Sequence, residues 1–359
     1  AQGLLPDEWV EAFGWCRDTA TPLPSGQAEE IIEDRFEVPL EALFDTFDTE
    51  PIGAASIGQV HAATLHDGTD VVVKVRRPGL RAQIERDLRA MALAAATAER
   101  ASKSARVAPR AGFVERFAPR GLEEICSRFE AINQVELALA GEAAGHEFTI
   151  FPRPIPHLTT EDVFVMTCVD GVPYDQALDT YPDVIDGERL LNLAITGTPE
   201  HMVAYGIFHG DMHAGNVLIN AQGDFSLIDF GIAGRIDAEQ RAAVVKFLFG
   251  FGRNDNLLQL QGLQAFGAIP EGEDLPALAA QLEAQLNAID PTLLTREGEL
   301  TVDRLGQALG AIIGVLAHNG FQLPKELVLF FKNLLYLNGF AAILAPDTNL
   351  FDQIEPSFM

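Results

Sequence analysis

The chain has 359 residues, 48% of them hydrophobic and 21% charged, which suits one large domain or two lobes sharing a core and excludes an intrinsically disordered protein. Lys and Arg together number 25 against 52 Asp and Glu, a formal net charge of -27, so the surface repels phosphate backbones and no nucleic-acid partner is expected. Three widely spaced cysteines, Cys16, Cys126 and Cys168, fit neither a disulfide framework nor the close pairs of a zinc site, and point to a reducing compartment.

No positively charged start followed by an apolar run opens the chain, and its first residue is Ala rather than Met. Four prolines punctuate the first fifty residues, around helical patterns in DEWVEAFGWC and from Gln27 to Phe36. From Pro51 the texture becomes β-rich. IGAASIGQVHAATL and DVVVKVRRPG are two strand-like runs joined by a turn that contains Asp67 and Gly68. Leu80 to Arg106 and Phe113 to Phe148 read as long helices, FPRPIPH as a proline-punctuated link and VFVMTCV as a strand. Beyond Asp170 the chain reads as mainly helical, apart from GNVLINAQGDFSLIDFG, where two short apolar strands flank a Gln-Gly-Asp turn. The 17-residue stretch Val328 to Leu344 is the most apolar, but Lys332, Asn333 and Asn338 interrupt it; it is marginal for spanning hydrocarbon and reads as a core helix. The pattern predicts an α+β protein: an N-terminal helical extension (1–50), a β-rich lobe with inserted helices (51–169) and a mainly α lobe (170–359).

The strongest chemical signal is HGDMHAGNVLI, His209 to Ile219, followed by LIDFG, Leu227 to Gly231. Phosphoryl transfer from ATP needs one carboxylate to orient the attacking hydroxyl or water. It needs a second carboxylate and an amide oxygen to hold Mg²⁺ against the phosphates. Asp211, four residues and then Asn216 have the catalytic-loop spacing of protein kinases, and Asp229-Phe230-Gly231 has the form of their metal-binding triplet. His209 and His213 bracket Asp211, but without a third neutral ligand they make a poor zinc site and are read as shaping the loop.

Lysine is scarce: Lys74, Lys103, Lys246, Lys325 and Lys332 are all there are. Lys74 sits in VVVKV, an apolar run, and a buried ammonium needs an anionic partner. In kinases the corresponding strand lysine grips the α- and β-phosphates and pairs with a helix glutamate. The candidate glutamates, Glu136 and Glu142 in QVELALAGEAAGHEF, point to nearly opposite sides of a helix, and Glu142 is the expected partner. Where a kinase has its glycine-rich phosphate loop, this chain has PIGAASIGQV. Small residues still permit close backbone approach, but each β-carbon narrows the cradle.

PIGAASIGQVHAATL, VVVKVRRPG, VELALAGEAAGHEF, HGDMHAGN and LIDFG together resemble the UbiB/ADCK (AarF-like) family of atypical protein-kinase-like ATPases. The likeness runs from about residue 4 to 355, taking in LLPDEWVEAF and LAPDTNLFDQIEP. It implies a bilobal kinase-like fold with ATP and Mg²⁺ as cofactors. By the same resemblance Lys74 and Glu142 form the ion pair, Asp211 is the catalytic carboxylate, and Asn216 and Asp229 bind the metal. Gly53, Ala54, Ala55 and Ser56 would form the nucleotide loop, and Met166, Thr167 and Val169 would belong to the hinge against which adenine stacks. The family implies ATP hydrolysis linked to ubiquinone or other isoprenoid-lipid metabolism, hence an apolar isoprenoid or quinone-type partner in the cytoplasm or peripherally at a membrane. The sequence departs from the pattern in three places. The Lys-x-Gly-Gln signature expected before LLPDEWV is not found, as only Ala1-Gln2-Gly3 precede it. Glu-x-Asp becomes Glu136-Leu137-Ala138, and Gly53 replaces the first alanine of Ala-Ala-Ala-Ser.

Two other functions share part of this pattern. Small-molecule phosphotransferases of the aminoglycoside or choline kinase kind also use an HGDxHxGN loop followed by IDFG, although PIGAASIGQVH argues against them. A nucleotide-binding regulatory module without turnover is the alternative that Ala138 raises.

Overall fold

In a computed structural model the chain is described over residues 21–54, 57–101, 126–289 and 302–345. The expected helix around DEWVEAFGWC, residues Ala55 and Ser56, the start of the Phe113 to Phe148 stretch and LAPDTNLFDQIEP beyond Ala345 lie outside these residues.

Helix α1 (Gln27–Phe36) leads into a five-stranded sheet. Strands β3 (Gly58–Thr64) and β4 (Asp70–Arg76) form the expected antiparallel hairpin, and its turn uses Gly68 at φ 84. Strand β6 (Val163–Thr167) pairs with the far edge of β4. Short β1 (Thr46–Phe47) and β2 (Gly53–Ala54) pair with β3. Alternation along β4 decides its faces. Val71, Val73 and Val75 are buried with Ala28 and Ile32 of α1, Leu158, Val163 and Val165, while Val72, Lys74 and Arg76 face the other way. Since α1 and β1 complete this core, residue 50 is no boundary: residues 27–47 belong to the small lobe.

Helices α2 (Leu80–Ala101) and α3 (Ser127–Ala144) follow the hairpin. Residues 168–171 lead from β6 to β7 (Val172–Pro173), which joins a second sheet ordered β5-β10-β9-β7, with β5 at Thr149–Ile150, β9 at Val217–Ile219 and β10 at Phe225–Leu227. Residues 149–150 therefore pair with strands of the later half, because β5 runs parallel to β10. Helices α4 (Tyr174–Thr180) and α5 (Gly187–Glu200) follow β7. A π-helical turn, His201–Tyr205, feeds β8 (Ile207–His209), which pairs with β11 (Ala233–Arg235).

Among the described residues five helices complete the large lobe: α6 (Ala238–Gly252), α7 (Asn256–Ala265), α8 (Leu275–Ile289), α9 (Val302–His318) and α10 (Lys325–Leu344). Asp237 opens α6 with a capping box shared with Gln240. By length and composition α10 could cross a membrane, yet Leu327, Phe330, Phe331 and Leu334 are buried among the large lobe's helices and Leu337, Phe340 and Leu344 against α5 and strands β9 and β10. Burial of each such side chain contributes about 1.5–3 kcal/mol, which agrees with the core-helix reading.

Candidate active site

Lys74 lies on the outward face of β4, opposite Val60 of β3 and Phe164 of β6 in the strand register. Its Nζ is 2.5 Å from Glu130 Oε1 and 3.8 Å from Asp229 Oδ1. Burial pulls the ammonium's pKa down, but the charges of Asp229 and Glu130 outweigh it and hold it above the ordinary lysine value. Burial pushes Glu130 above the usual carboxylate range in spite of Lys74.

The partner of Lys74 is thus Glu130, and the expectation of Glu142 is corrected. Helix α3 presents its first turn to the strand. Twelve residues further on, roughly 18 Å along the axis, Glu142 is exposed and lies 3.7 Å from Arg153. Glu136 pairs instead with Arg235 of β11, at 2.7 Å. The sequence carried a signal for Glu130 in the fragment SRFEAINQ. Reading Phe113 to Phe148 as one stretch hid the fact that helix α3 begins at Ser127 and sets Glu130 in its first turn.

The loop after β8 is held by His209, whose Nε2–H donates to the carbonyl of Asp229 at 2.6 Å and whose Nδ1 accepts from the backbone N–H of Asp211 at 3.1 Å. A carbonyl can only accept, so the ring is neutral with its proton on Nε2. Burial also lowers its pKa, against the pull of Asp229. A Cβ at Gly210 would lie 2.5 Å from Ile232 Cγ2 and 3.0 Å from the Ile232 carbonyl oxygen, so only glycine lets the loop pass this close to the segment after Asp229. His213 accepts from the N–H of Gly215 at 3.1 Å. Both histidines shape the loop.

Asn216 is buried, and its Nδ2 donates to the Asp211 carbonyl at 2.9 Å. That commits the amide nitrogen to the loop and leaves the oxygen as the atom to meet a cation. The Asp211 carboxylate forms an ion pair with Lys332 of α10, Nζ to Oδ1 2.8 Å; sequence reasoning noted this lysine without connecting it to the loop. Asp229 has φ 113, a backbone conformation costly for a residue with a β-carbon and concentrated at functional sites. Its Oδ1 accepts from the N–H of Gly231 at 3.1 Å. Desolvation by the cleft walls raises its pKa, while Lys74 and the Gly231 hydrogen bond pull it lower, and the net shift is downward.

Lys74, Glu130, Asp211, Asn216 and Asp229 line one cleft of about 300 Å³, with Gly58, Val60 and Arg76 as its roof. Met166, Thr167 and Val169 are not in that lining. Met166 is buried beside Val72 and Phe164, Thr167 Oγ1 accepts from the N–H of Arg153 at 2.8 Å, and Val169 lies in the link between the sheets. Gly53 and Ala54 form β2, at the edge of the small-lobe sheet. No group of three or more His, Cys, Asp or Glu able to hold a metal occurs among the described residues. One carboxylate (Asp229) and one amide oxygen (Asn216) do suit Mg²⁺, a hard cation that keeps waters and completes its shell with substrate phosphates.

A strand lysine paired with a helix glutamate, facing a loop aspartate, an asparagine and a second aspartate between two lobes, defines a kinase-like protein. The fold agrees. The solved structure titled as the Rv3197–erythromycin complex from Mycobacterium tuberculosis superposes with a TM-score of 0.61 at 21% identity, over 95% of this chain and 88% of that one. The chain belongs to the ABC1 atypical kinase-like family, whose domain model matches residues 16–259. It is 30% identical over 347 residues to an uncharacterized protein of Mycobacterium tuberculosis, covering 96% of this chain and 70% of the relative. It is 27% identical to an uncharacterized chloroplastic aarF domain-containing protein kinase of Arabidopsis thaliana (98% and 68% covered). With a Pseudomonas putida protein named "Probable protein kinase UbiB" it shares 29% identity (98% and 65% covered).

Proposed function

We propose that this protein is a Mg²⁺- and ATP-dependent atypical kinase or ATPase that serves isoprenoid-lipid or quinone metabolism. The observation that carries the chemistry is the meeting of Lys74, Asp211, Asn216 and Asp229 in one cleft. In this reading Lys74, oriented by Glu130, holds the α- and β-phosphates. Asp211 orients the attacking water or hydroxyl and takes its proton. Asn216 and Asp229 would hold the Mg²⁺, which when bound neutralises charge on the phosphate oxygens. Gly53 to Ser56 would belong to the nucleotide loop, and Met166 to Val169 would border the adenine. The lipid assignment rests on the likeness to the protein named UbiB and on the resemblance of the motifs. The setting it implies is cytoplasmic, with peripheral membrane contact.

The test is ATP hydrolysis by wild type and Asp229→Asn, with and without detergent and quinone-like phenols. The expected result is turnover stimulated by the phenols and lowered by at least about 100-fold in the variant. Stoichiometric phosphorylation of a soluble alcohol would favour a small-molecule phosphotransferase, and nucleotide binding without turnover in any condition would favour a regulatory module.

A further inference from the structure

Lys332 is one of the five lysines in the chain and stands in its most apolar helix between buried Phe331 and Asn333. An ammonium group is disfavoured in such a helix unless it meets a partner, and here the partner is the Asp211 carboxylate at 2.8 Å. The same turn of α10 touches the loop twice more. Asn333 Nδ2 donates to the His209 carbonyl at 2.5 Å. Tyr336, four residues on and so on the same helical face as Lys332, meets the His213 ring edge-on at 6.3 Å between centroids, and the Lys332 ammonium lies 5.4 Å from its ring centre. One helical turn, more than 120 residues downstream of Asp211, thus grips the loop at His209, Asp211 and His213.

We infer that Lys332 is a positioning residue for phosphoryl transfer, a role that rests on the function proposed above. A carboxylate directed at a triphosphate is repelled by it and turns away unless a cation holds it in place. Lys332 supplies that cation from outside the catalytic loop. Its ammonium stands 2.8 Å from Oδ1 as an ion pair, so Oδ2 remains to take the acceptor's proton. In the step itself the bond between the γ-phosphorus and the ADP oxygen breaks and a new P–O bond forms to the water or alcohol oxygen. The acceptor's proton passes to Asp211, and ADP leaves.

The experiment compares Lys332→Met, Lys332→Gln and Lys332→Arg in the full chain by steady-state Mg-ATP turnover, Mg-ATP calorimetry and melting. Asp211→Asn, alone and combined with Lys332→Met, is run beside them. Methionine and glutamine are expected to lower kcat by about 100-fold and leave KM and nucleotide affinity within about twofold of wild type. Arginine, which keeps the charge, should restore turnover to within about fivefold. In the Asp211→Asn background Lys332→Met should cost less than about threefold, since its effect passes through the missing carboxylate. Unchanged kcat in Lys332→Met, equal losses in both backgrounds, or a loss that follows melting or nucleotide affinity in both the methionine and glutamine variants would overturn the inference. Wild-type rates in Asp211→Asn would overturn the underlying function as well, whereas an inactive Asp211→Asn beside a fully active Lys332→Met would overturn the role of Lys332 alone.

Discussion

Lys74 is held between two carboxylates of unequal standing. Glu130 makes the closer contact and comes from the first turn of a helix; Asp229, at 3.8 Å, comes from a strained backbone position. Glu130→Gln is accordingly expected to cut kcat/KM by about 100-fold, or about 2.7 kcal/mol of transition-state stabilisation. Glu142→Gln, which alters only an exposed pair with Arg153, should stay within about twofold of wild type. Steady-state ATP hydrolysis by the two variants checks this, and the reverse order would mean that Lys74 changes partner when nucleotide binds. Asp211, Asn216 and Asp229 could be read from sequence because short-range spacing fixes their neighbourhood. The partner of Lys74 could not, because it depends on which turn of a distant helix faces the strand, and that is set by where the helix begins.

At the scale of elements, the β3–β4 hairpin, helix α1, strand β6, the β9–β10 hairpin and the core character of α10 were legible, since each carries a periodicity or turn residues that its neighbours reinforce. Strands β1, β5, β8 and β11 were not. At two or three residues each they are too short to carry a period, and tertiary pairing alone makes them strands. The π-helical turn before β8 was equally hidden. It packs His201 against His146, with Nε2 to Nδ1 at 3.2 Å, and His146 Nε2 in turn meets Glu200 at 2.9 Å. Burial first and the neighbouring His146 second press the pKa of His201 from 6.5 to about 4. The native ring is therefore neutral where the unfolded chain already binds a proton. This contribution to stability is whole above pH of about 6.5 and is lost as the pH falls towards about 4, by about 3 kcal/mol at most. Urea unfolding at pH 7 and pH 4.5 should show a loss in wild type larger than in His201→Phe by roughly 2–3 kcal/mol. Equal losses would mean that the ring is already charged in the folded protein.

Across the whole molecule, one feature joins the lobes at the cleft and a second braces its large-lobe wall. Helix α3 gives Glu130 to the small lobe's Lys74 and Glu136 to Arg235 of the large lobe, while Asn133 Nδ2 between them donates to the carbonyl of Phe230 at 2.7 Å. Helix α10, buried in the large lobe, sends Lys332 up to Asp211. The cleft lining brings Lys74 and Arg76 together with Glu130, Asp211 and Asp229 in a protein whose overall charge is -27, so a nucleotide should be accepted only with its charge partly neutralised by a divalent ion. Calorimetric titration of wild type and Asp229→Asn with ATP, in Mg²⁺ and in EDTA, tests this most directly. The account predicts saturable one-to-one uptake by wild type in Mg²⁺, weakened at least about tenfold by EDTA or by the substitution. Absence of Mg-ATP uptake by wild type, or equal uptake under all these conditions, would contradict it.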